Sequence, residues 1–113
     1  MCRKKELESI VDKLVKTYQS VYGDQIVKIV LYGSYARGDY DSESDVDMVA
    51  LVHGDRRILQ EQLKQVWDVS SDLELEFGMI LSPTVIPYDE YERYADVLPY
   101  YKNIAEEGVV IVA

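Results

Sequence analysis

The sequence predicts a small α/β (α+β) fold in which helices pack against a mixed β-sheet. Two apolar runs, 26–32 and 46–52, are rich in β-branched residues, and this composition predicts strands. Residues 3–22 instead repeat apolar positions at steps of three and four, which predicts an amphipathic helix. The 113 residues, 48% of them hydrophobic, suffice for one core, so we expect a single domain over residues 1–113.

The first half of the chain predicts a helix followed by two strands. A Gly-Asp pair ends the helix over 3–22. The strand over 26–32 leads into a Gly-Ser turn, and residues 39–44 have the polar composition of a loop. The second strand, over 46–52, follows that loop directly.

The second half predicts a helix and a third strand. Asp55 is placed to cap a helix that reaches residue 70. Residues 73–81 alternate between apolar and mainly polar positions, which predicts a strand with two faces. The remaining segments are predicted as an exit from the sheet over 82–87, short helices over 89–94 and 98–107, and an edge strand over 109–112.

Two carboxylates, those of Asp45 and Asp47, stand at the beginning of the second strand. Residues two apart on a strand point to the same side, so both side chains project together. Like charges at this spacing repel each other unless a cation lies between them. Carboxylate oxygens, with phosphate oxygens and water, suit Mg²⁺. The pattern therefore predicts a metal site here.

The Gly-Ser turn after the first strand predicts a phosphate site. Gly33 and Gly38 have no side chains to block a close approach. Backbone N–H groups at a turn that leads into a helix bind anions, and the Ser34 hydroxyl is a further hydrogen-bond donor. Together, the turn and the two carboxylates indicate chemistry on a nucleoside triphosphate.

This stretch also resembles a known family. The matching residues are Gly33, Ser34, Gly38, Ser44, Asp45 and Asp47. In this order they resemble the Gly-Ser…Gly…Ser-Asp-X-Asp signature of the DNA polymerase β-like nucleotidyltransferase superfamily, and the intervening Ala-Arg, which contains Arg37, is similar to that motif as well. The short length resembles the minimal nucleotidyltransferase (MNT) branch, often the antitoxin partner of a HEPN-domain toxin.

The resemblance implies a polymerase β-like fold and Mg-dependent transfer of AMP from ATP to a hydroxyl. The acceptor that it implies is a tyrosine of a HEPN toxin, which the modification silences. It further implies two Mg²⁺ ions held by Asp45, Asp47 and a third carboxylate. The residues expected to bind the nucleotide are Gly33, Ser34, Arg37, Gly38 and Ser44.

The third carboxylate is predicted to be Glu76. Members of the superfamily take this ligand from a neighbouring strand, often as an Asp, but the predicted strand over 73–81 contains none. Glu74 and Glu76 both lie on its less apolar face. Resemblance to short relatives favours Glu76 as the catalytic metal ligand, with Gly78 leaving room beside it. Glu74 stays an alternative, as does a purely exposed role for Glu76.

Two other functions fit the same residues. One is an antitoxin without catalysis that neutralises its partner by occlusion, although the intact Asp45 and Asp47 pair argues against it. The other is a small-molecule nucleotidyltransferase of the aminoglycoside type. Those enzymes resemble this motif but carry an additional domain, for which 113 residues leave little room.

The net charge of −9 and the sequence pI of about 4.5 bear on partners and location. An acidic chain opposes direct binding to a nucleic-acid backbone, whereas it suits a basic protein partner. The single cysteine, Cys2, excludes an internal disulfide. No apolar run approaches the ~20 residues of a membrane span, and no signal-peptide pattern follows the first residues, so a cytoplasmic location is expected.

Tyrosine is used ten times, against one Phe and one Trp. Five of the ten fall within residues 88–101. Aromatic residues with a polar tip are enriched at protein interfaces, and they also pack half-buried on sheets. The sequence leaves both roles open for this cluster.

Overall fold

The computed structural model describes residues 3–38 and 45–113. The predicted loop over 39–44, with Ser44, lies outside these residues, as do the side chains of Ser34 and Arg37. The bounds of the helices and strands are α1 Arg3–Tyr22, β1 Ile26–Tyr32, α2 Ser34–Arg37, β2 Val46–Val52, α3 Arg56–Phe77, β3 Leu81–Pro87, α4 Tyr88–Tyr94, α5 Pro99–Glu107 and β4 Val109–Val112. The predicted first helix and the strands now labelled β1, β2 and β4 are confirmed.

The strands form one mixed sheet in the order β3-β2-β1-β4. β1 pairs antiparallel with β2 and with β4, whereas β2 and β3 run parallel. Parallel neighbours need a crossover connection, and α3 supplies it. The predicted fold class is therefore confirmed. At the β4 edge, Val109, Val110 and Ile111 are all exposed.

The two faces of the sheet carry different cores, because successive side chains of β2 point to opposite sides. Met48 joins the larger core, where α1 and α3 cover the sheet. Val49 joins a smaller cluster with Tyr101 and Ile104 of α5. Asp47 has the same parity as Val49, so its side chain belongs to the α5 face. None of the helices within the described ranges is long and apolar enough to cross a membrane.

The predicted strand over 73–81 is wrong, because α3 continues to Phe77. The helix ends at Gly78, which has a left-handed φ of 66° and donates its N–H to the Glu74 carbonyl at 2.9 Å. Leu75, an inward position in the strand prediction, is 87% exposed. The buried residues of α3 keep the helical period throughout: Leu59, Leu63, Val66, Ser70 and Leu73. Packing of α3 against α1 and β3 thus favours a helix over the strand that the alternating apolar and polar residues of 73–81 predicted.

β3 is formed instead by Leu81 together with residues 82–87, which were predicted to lead out of the sheet. It contains Pro83 and Pro87, although proline cannot donate to a ladder hydrogen bond. β3 lies at the edge of the sheet with β2 as its neighbour, where proline is tolerated. Its register with β2 places Ser82 beside Asp47.

The N-cap of α3 gives a first testable expectation. The Asp55 side chain accepts hydrogen bonds from the N–H groups of Arg57 at 3.0 Å and Ile58 at 3.4 Å. We expect Asp55→Ala to lower the free energy of unfolding by about 1 kcal/mol, measured by urea denaturation. Asp55→Asn keeps an acceptor and should stay near the wild-type value. Equal stability of wild type and Asp55→Ala would contradict a stabilising cap.

Candidate functional site

The antiparallel pairing of β1 and β2 brings the phosphate turn beside a carboxylate. Tyr32, the last residue of β1, lies opposite Asp47, so Gly33 follows directly next to that side chain. A Cβ built on Gly33 would overlap Oδ2 of Asp47 and lie 3.3 Å from its Cγ. Gly33 also has a φ of 78°, in the left-handed region. Glycine is required here for space and for backbone conformation.

The turn that follows Gly33 leads into α2. The Ala36 N–H donates to the Gly33 carbonyl at 3.1 Å. A left-handed residue followed by helical residues directs successive N–H groups to one side, an arrangement that binds phosphate oxygens. Gly38 has a φ of 84°, and a Cβ there would meet open space within the described part of the chain. The predicted turn is confirmed, whereas its binding of phosphate stays a prediction.

Asp45 immediately precedes β2, and Asp47 is the second residue of that strand. Asp45 is exposed and Asp47 is half-buried, and strand alternation places Asp47 on the α5 face. Carboxylate oxygens suit Mg²⁺, which completes its coordination shell with phosphate oxygens and water. Gly33 has no Cβ, so its backbone leaves room for such phosphate oxygens beside Asp47. Within residues 3–38 and 45–113, no group of three or more His, Cys, Asp or Glu side chains could hold a metal. The described residues therefore supply this pair without the predicted third carboxylate.

Glu76 lies on the helix that covers the other face of the sheet. Its Oε2 is 3.7 Å from Nζ of Lys13 on α1, in an ion pair between exposed side chains. Glu74, the alternative, accepts the Leu81 N–H at 2.8 Å. Because α3 packs on the face opposite to Asp47, the strand argument that placed Glu76 beside the aspartates fails.

β3 instead presents hydroxyl groups next to β2. Ser82 pairs with Asp47 and Thr84 with Val49, so both share the face of the carboxylates. The Thr84 Oγ1 donates to the Met48 carbonyl at 3.2 Å. The sequence prediction missed these residues because it placed the strand too early in the chain. The helical spacing of the apolar residues up to Leu73 was the signal that could have shown the helix continuing and the strand beginning later.

A pair of tyrosines lies over the same face. The hydroxyl oxygens of Tyr32 and Tyr100 are 2.7 Å apart, and their rings meet edge to face with centroids 5.9 Å apart. Burial, and then the bond to Tyr100, raises the pKa of Tyr32, with a further contribution from the charge of Asp47. A hydrogen bond to Thr84 acts in the opposite direction on this pKa. The Tyr32 hydroxyl thus lies next to Tyr100, on the face of the sheet that carries Asp47.

The tyrosines within residues 88–101 differ in exposure: one is buried in the core and others are exposed to solvent. Tyr101 is only 7% exposed, and its hydroxyl donates to Glu90, which also pairs with Arg56. Burial, together with the bond to Glu90, raises the pKa of Tyr101 to about 12. Tyr94 and Tyr100 are 39% and 45% exposed. Packing on the sheet explains Tyr101, which is buried, while the exposed members are open to ligands or partners.

Comparison with known sequences finds a matching family model and similar proteins. The family model described as a nucleotidyltransferase domain matches residues 5–112. Two similar proteins of Methanocaldococcus jannaschii bear the names "Putative protein adenylyltransferase MJ0604" and "Putative protein adenylyltransferase MJ0141". The first is 33% identical over 104 residues, covering 92% of this chain and 96% of the relative. The second is 33% identical over 96 residues, covering 79% and 95%.

Comparison with solved structures identifies the same fold. A crystal structure of a toxin-antitoxin with AMP-PNP superposes with a TM-score of 0.54 at 16% identity, covering 88% of this chain and 69% of the other. A mutant of the toxin-antitoxin MntA-HpeT gives a TM-score of 0.54 at 14% identity over the same shares. At these identities the likeness shows the fold alone.

Proposed function

The chain belongs to the nucleotidyltransferase domain family, and on that basis we propose that it transfers AMP from ATP to a hydroxyl of a partner protein. The observation that carries the proposal is the contact between Gly33 and Asp47. A bare, left-handed glycine backbone lies against a carboxylate at the entrance of a turn. This pairing gives triphosphate oxygens and a bridging cation adjoining places to bind.

The residues of the turn would hold the β- and γ-phosphates. Gly33 and Gly38 let the backbone N–H groups approach the phosphate oxygens. The side chains of Ser34, Arg37 and Ser44 are proposed as further nucleotide contacts because of their places in the motif. Fixing the leaving groups in this way restricts the α-phosphate to one orientation, which favours in-line attack.

Asp45 and Asp47 would hold Mg²⁺, two ions by resemblance. Mg²⁺ supplies positive charge that offsets the charge of the phosphates and of the departing pyrophosphate. The carboxylates would fix the position of that charge, because β2 is hydrogen-bonded to a strand on each side. Ser82 and Thr84 line the opposite side, from which an acceptor hydroxyl would approach.

The acceptor is proposed to be a tyrosine hydroxyl on a HEPN-type toxin. The relatives named as protein adenylyltransferases support a protein acceptor. The structural neighbours are toxin-antitoxins, one of them with a nucleotide analogue, which supports a toxin partner and ATP as the substrate. The net charge of −9 suits a basic partner surface.

Co-expression with the product of the neighbouring reading frame tests this function. If that product is a HEPN-type protein with an Arg-X₄₋₆-His motif, intact-mass spectrometry should show it carrying AMP. Co-expression with Asp47→Asn should leave the partner unmodified. Absence of the adduct with the wild-type chain would contradict the proposed transfer.

Neutralisation by occlusion is the second candidate function. It is favoured by one observation, namely that the described residues bring no third carboxylate to Asp45 and Asp47. The same experiment separates the two functions. A partner that is inhibited equally by wild type and by Asp47→Asn, without any adduct, would support occlusion.

A further inference from the structure

The Tyr32 and Tyr100 hydroxyls form a chemical group that the proposed function does not use. Tyr32 lies opposite Asp47 in the register of β1 and β2, and its hydroxyl meets that of Tyr100 at 2.7 Å. Tyr100 comes from α5, which packs on the same face of the sheet. A phenolic hydroxyl of the chain itself therefore stands beside the carboxylate site.

The fold places this hydroxyl on the face of the sheet that carries Asp47. β2, with Asp47, lies between β1 and β3. The Tyr32 side chain shares the face of Asp47, because the two residues are partners across β1 and β2. Tyr100 joins it through the 2.7 Å contact between the two hydroxyls, so the tyrosine pair lies on the face where a nucleotide held by Asp47 would bind.

We propose that the chain adenylylates its own Tyr100, an inference that rests on the proposed function. Tyr100 is the accessible member of the pair, with 45% of its surface exposed. It lies in the first turn of α5, next to Pro99 at the beginning of the helix. An AMP group on this oxygen can extend into solvent, whereas Tyr32 is half-buried, with its hydroxyl against that of Tyr100.

The reaction uses ATP as its only co-reactant. The Tyr100 phenolic oxygen forms a bond to the α-phosphorus, and the bond from that phosphorus to the bridging oxygen of the β-phosphate breaks. Pyrophosphate leaves, and the phenolic proton passes to water. The product is an AMP phosphodiester on Tyr100, and no oxidation state changes.

Intact-mass spectrometry of the purified full chain tests the inference. Incubation with ATP and Mg²⁺ should add the mass of one AMP, and peptide mapping should locate it on Tyr100. Tyr100→Phe should lose the adduct. Tyr94→Phe is the matched control, because Tyr94 is 39% exposed but lies on α4, and this variant should keep it.

Mixing two variants tests whether transfer occurs within one chain. Asp47→Asn retains the acceptor and Tyr100→Phe retains the carboxylates, so a mixture should gain no adduct if each chain modifies only itself. AMP on Asp47→Asn in the mixture would contradict transfer within the chain. AMP mapped to another residue of the wild type would overturn the assignment of Tyr100, whether or not Tyr100→Phe folds.

The inference and the proposed function fail in different ways. An unmodified chain that still adenylylates its partner would overturn self-modification and leave the function standing. An adduct that persists on Asp47→Asn incubated alone would contradict both, because both require the carboxylate site.

Discussion

Asp47→Asn is expected to lower the rate of AMP transfer by at least about 10²-fold, the scale on which one electrostatic contact to developing charge acts. Asparagine keeps the size of the side chain against Gly33 but removes the charge that holds a cation. The fold should persist, because removal of one of two neighbouring carboxylates relieves repulsion. Rates of AMP transfer and thermal melts with and without Mg²⁺ and ATP measure both effects.

Glu76→Gln is the matched control for this experiment. It removes the same charge from an exposed residue of α3, on the other face of the sheet from Asp47. Its transfer rate should equal that of wild type. Loss of transfer in Glu76→Gln together with full activity of Asp47→Asn would reverse the assignment of the site.

Gly33→Val is expected to abolish measurable binding of ATP. The new side chain would overlap Asp47 and would need a φ of 78°, a conformation that β-branched residues avoid. Strain of this kind costs on the order of 1–3 kcal/mol, and displacement of the carboxylate removes the cation site as well. Calorimetric titration with a non-hydrolysable ATP analogue and Mg²⁺ measures the affinity.

Gly23→Ala separates backbone strain from the effect on the site. Gly23 has a φ of 59°, but a Cβ there meets nothing within 4 Å among the described residues. This variant should lose roughly 1 kcal/mol of stability and keep its affinity for ATP. Wild-type affinity in Gly33→Val would exclude the turn from the nucleotide site.

The part of the site that could be predicted from sequence is the part formed by neighbouring segments. Residues 33–45 alone separate the end of β1 from the beginning of β2, so the motif itself indicates that Gly33 and Asp47 belong to one site. The antiparallel register then brings them into contact. Local pattern and tertiary structure agree here because the pairing spans little of the chain.

The prediction failed where two periods fit the same residues. Leu73 and Phe77 are compatible with a strand alternation and with a helical stripe, and only packing of the continuous helix α3 against the sheet distinguishes them. The Tyr32–Tyr100 pair could not be predicted either, because its members are 68 residues apart. No local pattern encodes that α5 returns to the face that carries Asp47.

The edge of the sheet formed by β4 is exposed and apolar, so the net charge of the chain affects whether its copies aggregate. Val109, Val110 and Ile111 present apolar side chains on a strand at the border of the sheet, a surface on which like strands stack edge to edge and aggregate. The net charge of −9 makes copies of the chain repel one another at neutral pH. The negative net charge therefore opposes aggregation at this edge, and salt weakens the repulsion between copies by screening it.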